Sequence, residues 1–334
     1  MKYVHAYTHL DRIGGAETMA VRLYLAMKEA GKDSRIASTT PFRAIHERYA
    51  ALIPESDYIR LGIRYPRGKD FFMISHHRKI TTLYLLQNFF RHRNRMIHIA
   101  HNEFDTLKYF TLFPRHVVAV SQRVKLNLEN YFKLPESRIS VIYNAIPDPG
   151  SNQNTEPELP LRIVYPARVN TVKRQLELVR AVKEHALEGI EIRFCGDGPL
   201  LEELKSATGG DPRFKVLGMV EDMQAEYRAA HWVMLYTERE GLPVSLIEAC
   251  ANGLPVLCND VGGNTEIIRD GYNGYIVHSY GELISAIRHA LAMPGEQYRK
   301  LSAHARQVFE EKFTMEQMTG QYLSLIDRIE DENV

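Results

Sequence analysis

The chain has 334 residues, 45% of them hydrophobic and 25% charged, with a net charge of +1. That length allows two domains that each bury a core, and the composition excludes a disordered, collagenous or disulfide-framed protein. Three scattered cysteines, Cys195, Cys250 and Cys258, show no metal-ligand or redox spacing. No run approaches the ~20 apolar residues that span a bilayer, and the first eight residues lack the apolar segment of a secretory signal. A reducing, cytoplasmic location is therefore expected. The charge is unevenly spread: residues 1–150 hold 23 Lys/Arg against 13 Asp/Glu, and residues 151–334 hold 19 against 28. Such asymmetry predicts different partners for the two halves.

In chain order, KYVHAY (2–7) reads as a strand and a helix follows from about Ala16. Strands are next expected at SRIAS (34–38), RMIHIA (95–100), HVVAV (116–120) and SVIY (140–143). Strands interleaved with helices predict a parallel sheet covered on both faces. Residues 146–160, IPDPGSNQNTEPELP, have the composition of a linker. The pattern then restarts with LRIVYPA (161–167), IEIRFCG (190–196), FKVLG (214–218), WVMLY (232–236) and LPVLCN (254–259). Helices are expected between these strands, at 173–187, 199–207, 221–230 and 243–252. The last stretch, from about Met315 to Ile329, is amphipathic, with Met318, Tyr322, Leu325, Ile326 and Ile329 on one side.

The residues that carry chemistry fall at the carboxyl ends of these strands. Glu240 and Glu248 stand eight positions apart around Gly241, Leu242, Pro243 and Val244. Gly241 permits a tight turn and Pro243 suits a first helical turn, so one carboxylate precedes a helix N-terminus and the other lies inside the helix. Free N–H groups and a partial positive charge there suit a phosphate, and flanking carboxylates suit hydroxyls. A phosphate between hydroxylated rings describes a nucleotide sugar.

Arg168 and Lys173 follow LRIVYPA and are placed to neutralise a diphosphate, although surface cations are commonly only solvated. Gly196, Gly198 and Pro199 lie in a strand-to-helix turn that lets a ligand approach the backbone, or is simply a turn. The same two readings apply to Gly14-Gly15-Ala16-Glu17 after the first strand and to Gly262-Gly263-Asn264-Thr265-Glu266. His101, one of 14 histidines, is singled out only by its place after RMIHIA.

Taken in order, these residues, with Ser121 after HVVAV and Tyr143-Asn144 before the linker, resemble the retaining glycosyltransferases of the GT-B fold, most closely glycosyltransferase family 4. The resemblance runs over nearly the whole chain. It implies an α/β protein of two doubly wound, Rossmann-like domains facing across a cleft. Residues 1–148 would be the acceptor-binding domain and 149–314 the nucleotide-sugar-binding domain, with a C-terminal helix at 315–334 packing back on the first. It further implies that Glu248 binds ribose hydroxyls and that Glu240, with the amides of Gly241 and Leu242, holds the donor sugar. Arg168 and Lys173 would stabilise the departing diphosphate, aided by amides near Pro243 to Ser245 and by Gly14-Gly15. His101 would contact the sugar near its reacting face, and the base would rest against the region from Gly196 to about Val220. Retention of anomeric configuration and independence of metal and cofactor are implied as well. Ala167 and Arg174 depart from the family pattern, standing where glycine is frequent.

Residues 60–95 carry nine Lys/Arg and one Asp interleaved with aromatic and aliphatic residues. That composition suits an anionic inner-membrane surface, and no nucleic-acid motif accompanies the charge; a solvated basic face over a core helix is the plain alternative. The expected function is transfer of a sugar from a nucleotide sugar, UDP-linked in preference to GDP-linked, to a lipid-linked or growing bacterial surface glycan such as lipopolysaccharide, O-antigen or capsule. The protein would work peripherally at the cytoplasmic face of the membrane. A soluble small-molecule or glucan acceptor is a second reading, and a catalytically silent nucleotide-sugar-binding protein a third.

Overall fold

A computed structural model describes residues 1–62, 70–88, 95–150 and 157–332. Parts of the expected basic stretch (63–69 and 89–94) and of the linker (151–156) lie outside the described residues. The chain divides into two compact units, Met1–Ala145 with Met315–Val334, and Ile146–Thr314.

The first unit is built on a parallel sheet of β1 (Lys2–Tyr7), β2 (Asp33–Ser38), β3 (Tyr58–Arg60), β4 (Phe71–Ser75), β5 (Met96–Ala100), β6 (His116–Ala119) and β7 (Ile139–Val141). Among the described residues its order is β3-β2-β1-β4-β5-β6-β7, so the direction of winding reverses between β1 and β4. Strands buried on both faces read as near-continuous apolar runs, and Phe72, Met73 and Ile74 of β4 are fully buried for this reason. The helices are α1 (Gly15–Glu29), α2 (Glu47–Ala50), α3 (Arg78–Gln87) and α4 (Gln122–Asn130). Ser121 caps α4 by accepting from the Val124 N–H at 3.1 Å.

The second unit repeats the plan with β8 (Leu161–Pro166), β9 (Ile190–Cys195), β10 (Phe214–Gly218), β11 (Trp232–Leu235), β12 (Val256–Asn259) and β13 (Gly274–Val277). Its described order is β10-β9-β8-β11-β12-β13, all parallel, with the reversal between β8 and β11. Its helices are α5 (Gln175–Glu184), α6 (Leu201–Thr208), α7 (Met223–Ala229), α8 (Val244–Ala251), α9 (Asn264–Ile267), α10 (Tyr280–Leu291) and α11 (Gly295–Lys312). The last helix, α12 (Met315–Asp331), belongs to the first unit, where it packs on α1. Met318, Tyr322, Leu325, Ile326 and Ile329 form its buried stripe, and the Tyr3 hydroxyl donates to Glu330 Oε1 at 3.0 Å.

Two local expectations need correction, and a short strand is added to them. The helix expected from Lys173 starts instead at Gln175, because Thr171–Lys173 form a short 3-10 turn and Arg174 takes φ of 50°. Residues 71–75, expected as part of a membrane-facing stretch, are a central strand, and Ile80, Tyr84 and Leu85 of α3 are core. The strand GYIV at 274–277 carries no sequence signal, being four residues long and starting on a glycine.

Candidate functional site

The carboxyl edge of the second sheet collects most of the residues singled out in the sequence. In doubly wound sheets the crevice beyond the strand ends opens where the winding reverses, here between β8 and β11. Arg168 and Lys173 follow β8, and Glu240 follows β11, so the two cations and the first carboxylate flank that point. Lys173 Nζ donates to Glu240 Oε1, with side chains only 20% and 10% exposed. Arg168 is exposed, and its carbonyl oxygen accepts from Gln175 Nε2 at 3.0 Å.

The loops are held in place from below. The buried Tyr165 hydroxyl lies 2.6 Å from the Lys173 carbonyl oxygen and 2.8 Å from that of Tyr236, and accepts from the Tyr236 N–H at 3.0 Å. Val172 accepts from the Glu238 N–H at 2.9 Å, and Asn259 spans Thr237 with bonds of 3.0 and 2.7 Å. Arg174 Nε reaches Glu238 Oε1 at 3.2 Å. The left-handed backbone of Arg174, with φ of 50°, is a conformation that favours glycine.

Beyond Glu240, Pro243 precedes α8, and no side chain caps the start of that helix among the described residues. Its first N–H groups and the positive end of its dipole form a place for an anion. Glu248 lies on α8, half-buried, and accepts from the Tyr227 hydroxyl of α7 at 3.0 Å.

Glycines bring the backbones into contact here. A Cβ at Gly196 would meet the carbonyl of Ala167, one at Gly198 that of Val169, and one at Gly262 that of Glu240. The Val169 N–H donates to the Asp197 carbonyl at 3.0 Å, and the Gly263 N–H to that of Gly241 at 2.8 Å. Gly241 and Leu242 are thus braced from one side by the loop after β12, with Val244 next in the chain, and Arg168 by the loop containing Gly196, Gly198 and Pro199.

In the first unit, a cavity of about 490 Å³ sits at the carboxyl edge near the β1–β4 reversal. His76, His98 and His101 line it together with Arg78, Phe104 and Phe110. The Arg78 guanidinium lies over the Phe104 ring, 3.6 Å from its centroid. Gly14 is the N-cap of α1 and Gly15 its first residue, beside Ala16 of the cavity wall. The Glu17 carboxylate folds against Gly14 and is hydrogen-bonded with Tyr7, and burial raises its pKa. The start of α1 is thus already faced by a carboxylate.

Arg168, Lys173, Glu240, Gly241 to Val244, Glu248, Gly196, Gly198 and Pro199 share one sheet edge in the second unit. Gly14, Gly15 and His101 share the corresponding edge of the first. Tyr165, Asn259, Tyr227, His5 and His76 were not found from sequence. An isolated tyrosine, asparagine or histidine in a strand carries no pattern until its partners are known. Among the described residues, no group of three or more His, Cys, Asp or Glu is placed to hold a metal ion, and no helix is long and apolar enough to cross a membrane.

Residues 150–308 match the family described as glycosyl transferases group 1. The chain is 28% identical over 174 residues, 49% of its length, to a putative glycosyltransferase EpsD of Bacillus subtilis, of which 46% is covered. It is 26% identical over 219 residues, 66% of its length, to the O-antigen biosynthesis glycosyltransferase WbnH of Escherichia coli, of which 62% is covered. The matches thus span about half the length of these relatives. Anabaena HepE, solved in complex with UDP, superposes with a TM-score of 0.82 over 98% of this chain and 100% of that one, at 16% identity. The two parallel α/β units are those of the GT-B glycosyltransferase fold, and residues 150–308 are similar to the glycosyl transferases group 1.

Proposed function

We propose that the chain is a retaining glycosyltransferase of family 4 type that moves a sugar from a nucleotide sugar, UDP-linked in preference to GDP-linked, to a hydroxyl of a lipid-linked or growing bacterial surface glycan. The observation that carries this reading is the grouping of Arg168, Lys173, Glu240 and Glu248 around the uncapped start of α8, at the winding reversal of the second sheet. The names of EpsD and WbnH, and the UDP bound by HepE, support it.

In this reading Glu248 accepts hydrogen bonds from the ribose hydroxyls, and Glu240 with the amides of Gly241 and Leu242 holds the sugar. The α8 N-terminus faces phosphate oxygens. Arg168 and Lys173 stabilise the charge that grows on the diphosphate as the glycosidic bond breaks, which lowers the barrier without a metal ion. His101 meets the transferred sugar. Thermal-shift measurements with UDP, GDP and their common sugars test the reading, since a ligand that binds only the folded protein raises its stability. Stabilisation by none of them would overturn it.

The lipid-linked acceptor and a peripheral place at the cytoplasmic face of the inner membrane rest on a specific patch. Leu107, Tyr109 and Phe110 are exposed beside the first unit's cavity, and Leu83 and Leu86 are exposed on α3. Arg78 and Lys79 begin α3, and Lys108 lies 5.7 Å from the Tyr109 ring centroid, so cations and apolar groups occur together as they do on surfaces that bind anionic lipid. Co-sedimentation with vesicles tests this: recovery with anionic but not neutral lipid is expected. Equal recovery with both, or none with either, would count against it.

A further inference from the structure

Three histidines of the first unit join nitrogen to nitrogen. His101 Nε2 lies 3.1 Å from His76 Nδ1, and His76 Nε2 lies 3.5 Å from His5 Nδ1. The His76 and His101 rings stack 5.3 Å apart with 15° between their planes. His5 comes from β1, His76 directly follows β4 and His101 directly follows β5, so three neighbouring strands build the row. Burial holds His5 down to about 3 and His101 to about 4, and His76 is likewise lowered by burial. Near neutral pH each ring is therefore uncharged and carries one N–H.

A row of neutral imidazoles has a direction. Each of the two contacts holds one proton, so only two arrangements satisfy both. In one, His5 Nδ1–H donates to His76 Nε2, His76 Nδ1–H donates to His101 Nε2, and the third proton sits on His101 Nδ1. In the other, every proton moves to the opposite nitrogen and the third sits on His5 Nε2. That atom is buried with no hydrogen-bond partner among the described residues. A buried N–H without an acceptor is rarer than a buried acceptor without a donor, which favours the first arrangement.

His98 shows the same preference. The Ser75 hydroxyl donates to the His77 carbonyl and the Thr81 hydroxyl donates to Ser75 Oγ, at 3.2 and 2.9 Å. The 2.8 Å contact between Thr81 Oγ1 and His98 Nδ1 therefore takes its proton from His98. His98 Nε2, also buried and unpartnered among the described residues, is then the bare nitrogen.

We propose that His76 is a positioning residue that holds His101 with its proton on Nδ1, so that at the cavity His101 donates a hydrogen bond to a ligand oxygen and offers no lone pair there to act as a base. The ligand half of this statement rests on the reading that His101 meets the transferred sugar.

Two-bond proton–nitrogen correlation spectra of the full chain, with ring-labelled histidine near pH 7.5, report each tautomer directly. The signal lost in His101→Asn should show the Nδ1–H pattern in the unsubstituted protein, and an Nε2–H pattern would overturn the proposal. His76→Phe removes the donor to His101 Nε2 and should convert His101 to a mixture of tautomers; a folded His76→Phe that keeps pure Nδ1–H would remove His76 from the role. Where that variant does not fold, His5→Phe shortens the row by one ring, leaves His76 Nε2 as the bare end, and should keep His101 with Nδ1–H; an Nε2–H pattern there would overturn the proposal. UDP-glucose, but not UDP, should move the Nδ1–H resonance, and His76→Phe should weaken UDP-glucose by about 3- to 10-fold while leaving UDP unchanged. Bound UDP-glucose with no shift would overturn the ligand half alone, leaving the tautomer decided by the spectrum of the free protein.

Discussion

Lys173 and Glu240 pair at the winding reversal of the second sheet, so a cation assigned to a diphosphate and a carboxylate assigned to a sugar neutralise each other in the free protein. In the proposed reading each is partly released when its ligand arrives, which would couple the two ends of the donor in one contact.

This pairing separates stability from turnover. Lys173→Ala leaves a nearly buried carboxylate unpaired and is expected to destabilise the second unit by about 3 kcal/mol, while donor hydrolysis falls about 100-fold. The double variant Lys173→Met with Glu240→Gln should regain most of the stability and none of the turnover. Unfolding midpoints and hydrolysis rates measured on the same samples decide it; turnover returning with stability would assign the pair a purely structural role.

Glu248→Ala is expected to weaken UDP by about 10- to 100-fold, the loss of a charge-assisted hydrogen bond worth roughly 1.5–3 kcal/mol. Tyr227→Phe removes only the hydroxyl that donates to Glu248 at 3.0 Å and should cost a few-fold. Calorimetric titration separates the two, and unchanged affinity in Glu248→Ala would take that residue out of the site.

The glycines divide sharply. Gly198→Ala and Gly262→Ala would drive a methyl group into the carbonyls of Val169 and Glu240, where backbone cannot yield cheaply, and each should cost more than about 3 kcal/mol or prevent folding. Gly320→Ala, inside α12 with open space around the added methyl, should stabilise by about 0.5–1 kcal/mol. Urea denaturation curves with unchanged slopes would measure all three.

Acid should weaken the first unit through its histidines. Burial places His5 and His98 at about 3, and His77 and His101 at about 4, against an ordinary value of 6.5. The unfolded chain therefore binds more protons than the folded one between these values. The stability due to the neutral rings is complete above pH 6.5 and is lost as pH falls toward 4. Each such histidine contributes a slope of up to about 1.4 kcal/mol per pH unit in that window. Melting temperatures from pH 8 to 4 should fall in that interval, less steeply in His98→Phe, and a flat profile would contradict the assignment of these rings as buried and neutral.

Much of the fold was legible because parallel strands buried on both faces are continuous apolar runs. KYVHAY is β1 residue for residue, and LRIVYPA and IEIRFCG differ from β8 and β9 by one. Short strands carried no such signal: YIR at 58–60 and GYIV at 274–277 are strands only because neighbours pair with them. FFMIS was masked by the cations around it. In the site, the spacing of Glu240 and Glu248 was readable because both sides of one helix start lie close in sequence. His5 and His76 are 71 positions apart, and their contact exists only once β1 and β4 are adjacent.

The return of α12 to the first unit gives the order of synthesis a structural consequence. Residues 146–314 form the second unit from one continuous stretch, whereas the first takes Met1–Ala145 and then Met315–Val334. The face of α1 that receives α12 stays open to water until α12 has left the ribosome. The unit that is begun first is therefore completed last, and a nascent chain halted just short of Met315 would hold every residue of the second unit while the first still lacked part of its core.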